Sequence, residues 1–161
     1  MIRIFLALSL LAPLSFLGAQ QRTAADLVRQ LYRTYAWETQ DSSTTRDKPL
    51  FAASPTVMRA FLDSSFVAAV MADRACQKRS DGICNLDFDP IWASQDPVGA
   101  TFKVLGTPDP AVVRVELHYA SEPEPIVITY RLRPTRAGWR ITDMGTKDWP
   151  SLKKQLLNPA S

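Results

Sequence analysis

Several things are scarce in this chain, and each scarcity removes a class of function. There is one histidine, His118, and there are two cysteines, Cys76 and Cys84. No zinc-binding His pair, no Gly-x-Ser-x-Gly elbow and no Gly-rich phosphate cradle can be found. Two cysteines without further Cys or His partners do not make a zinc site, and their spacing is not that of a Cys-x-x-Cys redox pair. The formal charge is only +3, which argues against nucleic acid as the main partner, since such partners demand a strong basic patch. There is no internal repeat, no low-complexity tract and no second apolar span after the N-terminal one. No cofactor is expected.

What is present begins with a compartment signal. Met1-Ile2-Arg3 brings a positive charge, Ile4 to Leu17 is apolar apart from Ser9, Pro13 and Ser15, and Gly18-Ala19 supplies small residues before Gln20. That order predicts a secretory signal peptide over residues 1–19, with cleavage expected after Ala19. The run is shorter than the roughly 20 apolar residues of a spanning helix, so no stable membrane span is expected after cleavage. Residues 20–161 are then a single exported domain, periplasmic or secreted, with an oxidised Cys76–Cys84 pair. A nine-residue loop closed in this way contributes about 2.5 kcal/mol of chain entropy.

Periodicity gives the architecture. Leu27, Leu31 and Tyr35 recur at helical spacing, with Thr23 and Asp26 as a capping box, so a helix is expected over 23–39. The polar segment from Glu38 to Phe51 is expected to be a loop. Ser54 and Pro55 open a second helix, which the pattern Val57, Phe61, Val67, Val70 and Met71 carries to about Arg74. From Thr101 onward the period changes to two. Thr101 to Leu105 is a short strand; Val113, Val115, Leu117 and Tyr119 alternate with Arg114, Glu116 and His118; Ile126, Ile128, Tyr130 and Leu132 follow; Trp139 and Ile141 end the series. Leu152, Leu156 and Leu157 behind Ser151 anchor a short C-terminal helix. Helices followed by consecutive strands predict an α+β fold, with two N-terminal helices on an antiparallel sheet of about four strands.

The segment from Cys76 to Asp96 concentrates polar chemistry: both cysteines, Gly82, four carboxylates (Asp81, Asp87, Asp89 and Asp96) and Trp92. Asp87 and Asp89 have the i, i+2 spacing of loop oxygen ligands, but the calcium-loop pattern with its final Glu is missing, so no metal is expected. Asp89 before Pro90 and Asp96 before Pro97 suit turns whose carboxylates accept nearby backbone N–H groups. Paired carboxylates next to Trp92 and Phe88 could equally do acid–base work. The candidate binding residues are Asp87, Asp89, Trp92, Gln95 and Asp96, together with the basic row Arg131, Arg133 and Arg140 on the wet face of the sheet, where Arg forks suit anionic groups. His118, with Glu116 two residues away, is read as a solvent-facing residue of a polar row. No catalytic residue is assigned.

The runs Leu86-Asp87-Phe88-Asp89-Pro90-Ile91-Trp92-Ala93-Ser94-Gln95-Asp96 and Gly138-Trp139-Arg140-Ile141-Thr142-Asp143, followed by Ser-Leu-x-x-x-Leu from Ser151 to Leu156, resemble small exported proteins related to the enterobacterial lipoprotein YbjP, the family of domain of unknown function 3828. That resemblance implies the cystatin-like fold of nuclear transport factor 2 relatives, with a curved sheet, and it implies no activity. The lipid-bearing cysteine of YbjP is not present next to Gly18. The functional expectation is an exported envelope protein acting as a non-enzymatic binding or structural module, its partner an envelope protein or a small ligand. The alternative is a small carboxylate-dependent hydrolase or isomerase.

Overall fold

The computed structural model of the chain describes residues 22–40, 48–80 and 82–158. The expected signal peptide lies outside the described residues, as do most of the polar loop after Gln40 and Asp81. The first helix, α1 (Ala24–Thr34), starts where the capping box predicts: Asp26 N donates to Thr23 Oγ1 at 3.1 Å and Thr23 N donates to Asp26 Oδ2 at 3.0 Å. Val28, Leu31 and Tyr32 form its buried stripe. Beyond Tyr35 the chain tightens into a 3₁₀ turn, Ala36–Thr39, so the expected last turn of the helix is of the narrower kind.

The expected second helix is two helices. Ser54 caps and Pro55 opens α2 (Pro55–Met58), but after one turn the chain leaves the helix to pair with the sheet. Ile141 N donates to Phe61 O at 2.8 Å and Asp63 N donates to Ile141 O at 2.9 Å. This exchange of helical for edge-strand hydrogen bonds buries Phe61 and Leu62, and periodicity in a single segment cannot reveal it because the partner lies in another element. Asp63 restarts the helix: its Oδ1 accepts from Phe66 N and Ser65 Oγ, both at 2.8 Å. The long α3 (Ser64–Ser80) follows, burying Phe66, Val67, Ala69, Val70 and Asp73.

The sheet is an antiparallel meander in the order β1 (Thr101–Leu105), β2 (Val112–His118), β3 (Ile126–Thr135), β4 (Gly138–Gly145). Val113, Val115 and Leu117 face the core with Ile128, Tyr130 and Leu132, in the registers Val115↔Ile128 and Val113↔Tyr130. Ile141 and Met144 are three residues apart yet both are buried. A bulge reconciles this with the two-residue pleat: Leu132 pairs with Ile141 and Tyr130 with Met144, so β4 carries one extra residue. Gly145 ends the strand. A Cβ there would sit 2.5 Å from the carbonyl carbon of Pro150, so the return of the chain requires glycine. Ser151 then caps α4 (Leu152–Leu157), and its own Oγ donates to Asp143 Oδ2 at 2.6 Å. The fold is α+β with a four-stranded antiparallel sheet and several helices, its core lying between α1, α3 and the sheet.

Candidate functional site

The disulfide between Cys76 and Cys84 is formed, with Cα atoms 6.1 Å apart. Just before it, the buried Asp73 holds the exit of the stapled loop. Its Oδ1 accepts from Asn85 N at 2.9 Å and Asn85 Nδ2 at 3.0 Å, and its Oδ2 accepts from Gln77 Nε2 at 2.8 Å. Gln155 of α4 donates to Asn85 O at 3.3 Å. The elbow is therefore tied to α3 by a covalent bond and a saturated carboxylate, and to α4 by an amide.

The segment after the elbow is inserted into the core. Asp89 and Ser94 pair across a tight loop, with N···O distances of 2.8 and 3.3 Å, and Ala93 takes a left-handed φ of 50° to close it. Ile91 and Trp92, between them, are almost wholly buried. Three groups from distant elements grip this loop. Tyr32 OH donates to Ile91 O at 2.8 Å, Tyr119 OH donates to Trp92 O at 2.5 Å, and Trp92 Nε1 donates to Glu38 Oε2 at 2.7 Å. With its proton committed to Ile91, the Tyr32 oxygen accepts from Tyr130 OH at 2.9 Å. Desolvation raises all three phenols, Tyr119 to about 12, so each is a neutral donor at any ordinary pH.

Glu38 and Asp89 meet behind this loop, their carboxyls within hydrogen-bonding reach of each other. Burial first, and then the neighbouring Asp89 charge, push Glu38 up to about 9. Burial also raises Asp89, against the hydrogen bond from Glu38 and the backbone N–H of Ile91 at 2.8 Å, which favour its ionised form. At neutral pH the pair thus holds a proton, on Glu38.

A cleft of about 480 Å³ opens on the near side of Asp89. Pro49, Phe51, Leu86, Phe88 and Pro90 give it apolar walls, and Asp73, Arg74, Gln77, Asp87, Asp89 and Gln95 give it polar groups. Gln95 Nε2 donates to Asp87 Oδ2 at 3.3 Å, and both side chains are exposed. Arg74 Nη1 donates to Ala53 O at 2.7 Å. A second groove of about 820 Å³ lies between the start of β3 and the 146–149 turn, next to Trp149.

The structure brings Asp87, Asp89 and Gln95 together in the cleft and puts the other candidates elsewhere. Trp92 is in the core. Asp96 is exposed and accepts from Val98 N at 3.2 Å, the turn-forming role that Asp-Pro suits. Arg131 is exposed on the outer face of β3. Arg133 Nε reaches Asp63 Oδ2 at 3.1 Å. Arg140 donates to the carbonyls of Arg59, Ala137 and Trp139, at 2.8, 3.2 and 2.6 Å. Asp73 and Glu38 were not singled out by the sequence. The signal that points toward Glu38 is indirect: a buried Trp92 requires an acceptor for its indole N–H. Among the described residues no three His, Cys, Asp or Glu side chains are grouped to hold a metal ion, and no helix is long and apolar enough to cross a membrane.

No family model matches the chain, and no curated protein matches it. Among solved structures, a phospholipid-binding protein from Ralstonia solanacearum, solved in complex with a phospholipid, is similar at 12% identity and a TM-score of 0.38 over 80% of this chain and 68% of that one.

Proposed function

We propose that this is an exported envelope protein, matured by loss of residues 1–19, that serves as a non-enzymatic binding module, and that the cleft next to the stapled elbow receives a small ligand. The kinship to YbjP-like proteins and the cystatin-like arrangement belong to the same proposal. The observation that carries it is the convergence of Asp87, Asp89 and Gln95 on one concave site with Phe51, Leu86 and Phe88 as its walls. Small-molecule sites combine apolar walls with placed polar groups in volumes of roughly 300–1,000 Å³, and the cleft has both kinds of lining in similar number. The exposed Arg131 is a secondary contact point for an anionic partner. Thermal melting of the mature protein against a panel of small ligands tests the reading. A ligand that raises the Tm of the native protein, and does so much less in Asp87→Asn and in Gln95→Ala, supports it. A panel that moves no melting curve, with no stable envelope partner recovered, ends it.

A carboxylate-dependent hydrolase or isomerase is the second reading, and one observation favours it: a proton-sharing carboxyl pair whose Asp89 member lines the cleft. In that case Asp89→Asn abolishes turnover while leaving the melting temperature close to native. Turnover that survives Asp89→Asn removes this reading.

A further inference from the structure

The two oxygens of Glu38 have different surroundings. Oε2 accepts the Trp92 indole N–H, whereas Oε1 is buried and no N–H or O–H donor of the described residues faces it. What the carboxyl does face is the carboxyl of Asp89. Two largely buried ionised carboxylates in contact repel strongly, and a single proton between them turns that repulsion into a short O–H···O⁻ hydrogen bond. Asp89 is the better charged member because Ile91 N already donates to it. The other titratable groups facing the pair are Tyr32 of α1, Tyr119 just after β2 and Tyr130 of β3, all phenols. No ion pair among the described residues includes either carboxyl. Among the described residues only the Trp92 indole and the proton compensate the second negative charge.

Asp89 and Pro90 also form part of the cleft wall, and the loop they begin is inserted through Ile91 and Trp92. We propose that the proton shared by Glu38 and Asp89 is a latch that holds the Asp89–Ser94 loop against the 3₁₀ turn at Ala36–Thr39, so that losing it releases the loop and reshapes the cleft. The latch is independent of what the cleft binds. Its release point follows from the raised affinity of Glu38 for its proton, near pH 9.

The test is a pH titration of the mature protein, without ligand, followed by ¹⁵N-resolved nuclear magnetic resonance. The Trp92 indole N–H reports the charge on Glu38 directly, and the backbone amides of Ile91, Trp92 and Ser94 report the loop. Expected is a single transition near pH 9 in which the indole and loop signals move together while Val115 and Ile128 of the central strands stay fixed. Glu38→Gln keeps an acceptor for Trp92 and a donor for Asp89, and it should remain in the closed pattern through pH 10. A native indole signal flat from pH 6 to about 10, or a transition that persists in Glu38→Gln, means that no proton is held there. An indole transition without loop movement means a proton without a latch. Simultaneous loss of the Val115 and Ile128 signals means global unfolding. Each of these results overturns the proposal.

Discussion

Asp63 and Glu38 are both acids with less than a tenth of their surface exposed, at 6% and 9%, and the fold treats them in opposite ways. Asp63 begins α3 and is surrounded by donors. Burial pushes its carboxyl up, but Phe66 N–H, Ser65 Oγ, Lys153 and Arg133 outweigh it and hold the group below the usual carboxylate range. Glu38 has one indole donor and one acidic neighbour, and it keeps its proton. Asp73 is a third arrangement: its carboxyl sits among three neutral N–H donors from Asn85 and Gln77. A charge that only has to cap a helix is given cations and backbone donors. A buried carboxyl that faces a second carboxyl is left to share a proton. A buried acid becomes a responsive group when its stabilising partner is the proton itself, which the solvent can remove.

Substitutions at these residues should separate the two kinds of buried acid. The largest expected effect is Trp92→Ala, which removes the anchor of the loop and the donor to Glu38 at once; chemical denaturation should report a loss of about 3–5 kcal/mol. Reduction of Cys76–Cys84 should lower stability by about 2.5 kcal/mol on chain-entropy grounds, while the Trp92 indole resonance stays put, because the staple acts through Asp73 and not through Glu38. Asp63→Ala removes the cap of α3 and leaves Arg133 unpaired, for a loss of about 1–2 kcal/mol, and its circular dichroism should show less helix. Arg133→Ala should change stability by less than about 1 kcal/mol, since its guanidinium is mostly in water. An Arg133→Ala effect as large as that of Asp63→Ala would mean that the ion pair, and not the cap, is what stabilises Asp63.

Much of the framework was legible in the sequence because the signals are local. The capping box at Thr23 and Asp26, the Ser54-Pro55 helix start, the alternation through Val113–Leu117 and Ile126–Leu132, and the Ser151 cap all depend on neighbours a few residues away. The break between α2 and α3 was not legible, because Leu62 leaves the helix for a partner in β4. The bulge on β4 was hidden for the same reason, being a relation between Leu132 and Ile141. At the candidate site, Asp87, Asp89 and Gln95 came from one short segment, and the cleft joins them. Glu38 stood at the edge of a Ser/Thr-rich polar stretch read as a connecting loop; only its contact with Trp92, 54 positions on, reveals it as buried. The basic row looked continuous in sequence, but Arg133 and Arg140 each turn toward partners in the 59–63 segment.

The opposite shifts of the two acids separate their effects along the pH axis. Glu38 binds its proton more tightly folded than unfolded, so its contribution is fully present below the ordinary Glu value of 4.5 and is lost as pH rises toward about 9. Asp89, also raised, acts in the same direction. Asp63 is lowered, so its contribution is present above the ordinary Asp value of 3.8 and is lost only as pH falls through its depressed folded value. The most direct measurement is the unfolding free energy of native protein and Glu38→Gln by denaturant titration from pH 5 to 9. A native stability that declines steadily across that window, with a distinctly flatter profile in Glu38→Gln, is what a buried, proton-sharing pair requires. Parallel profiles for the two proteins would contradict it and would make Glu38 an ordinary ionised acceptor for the Trp92 indole.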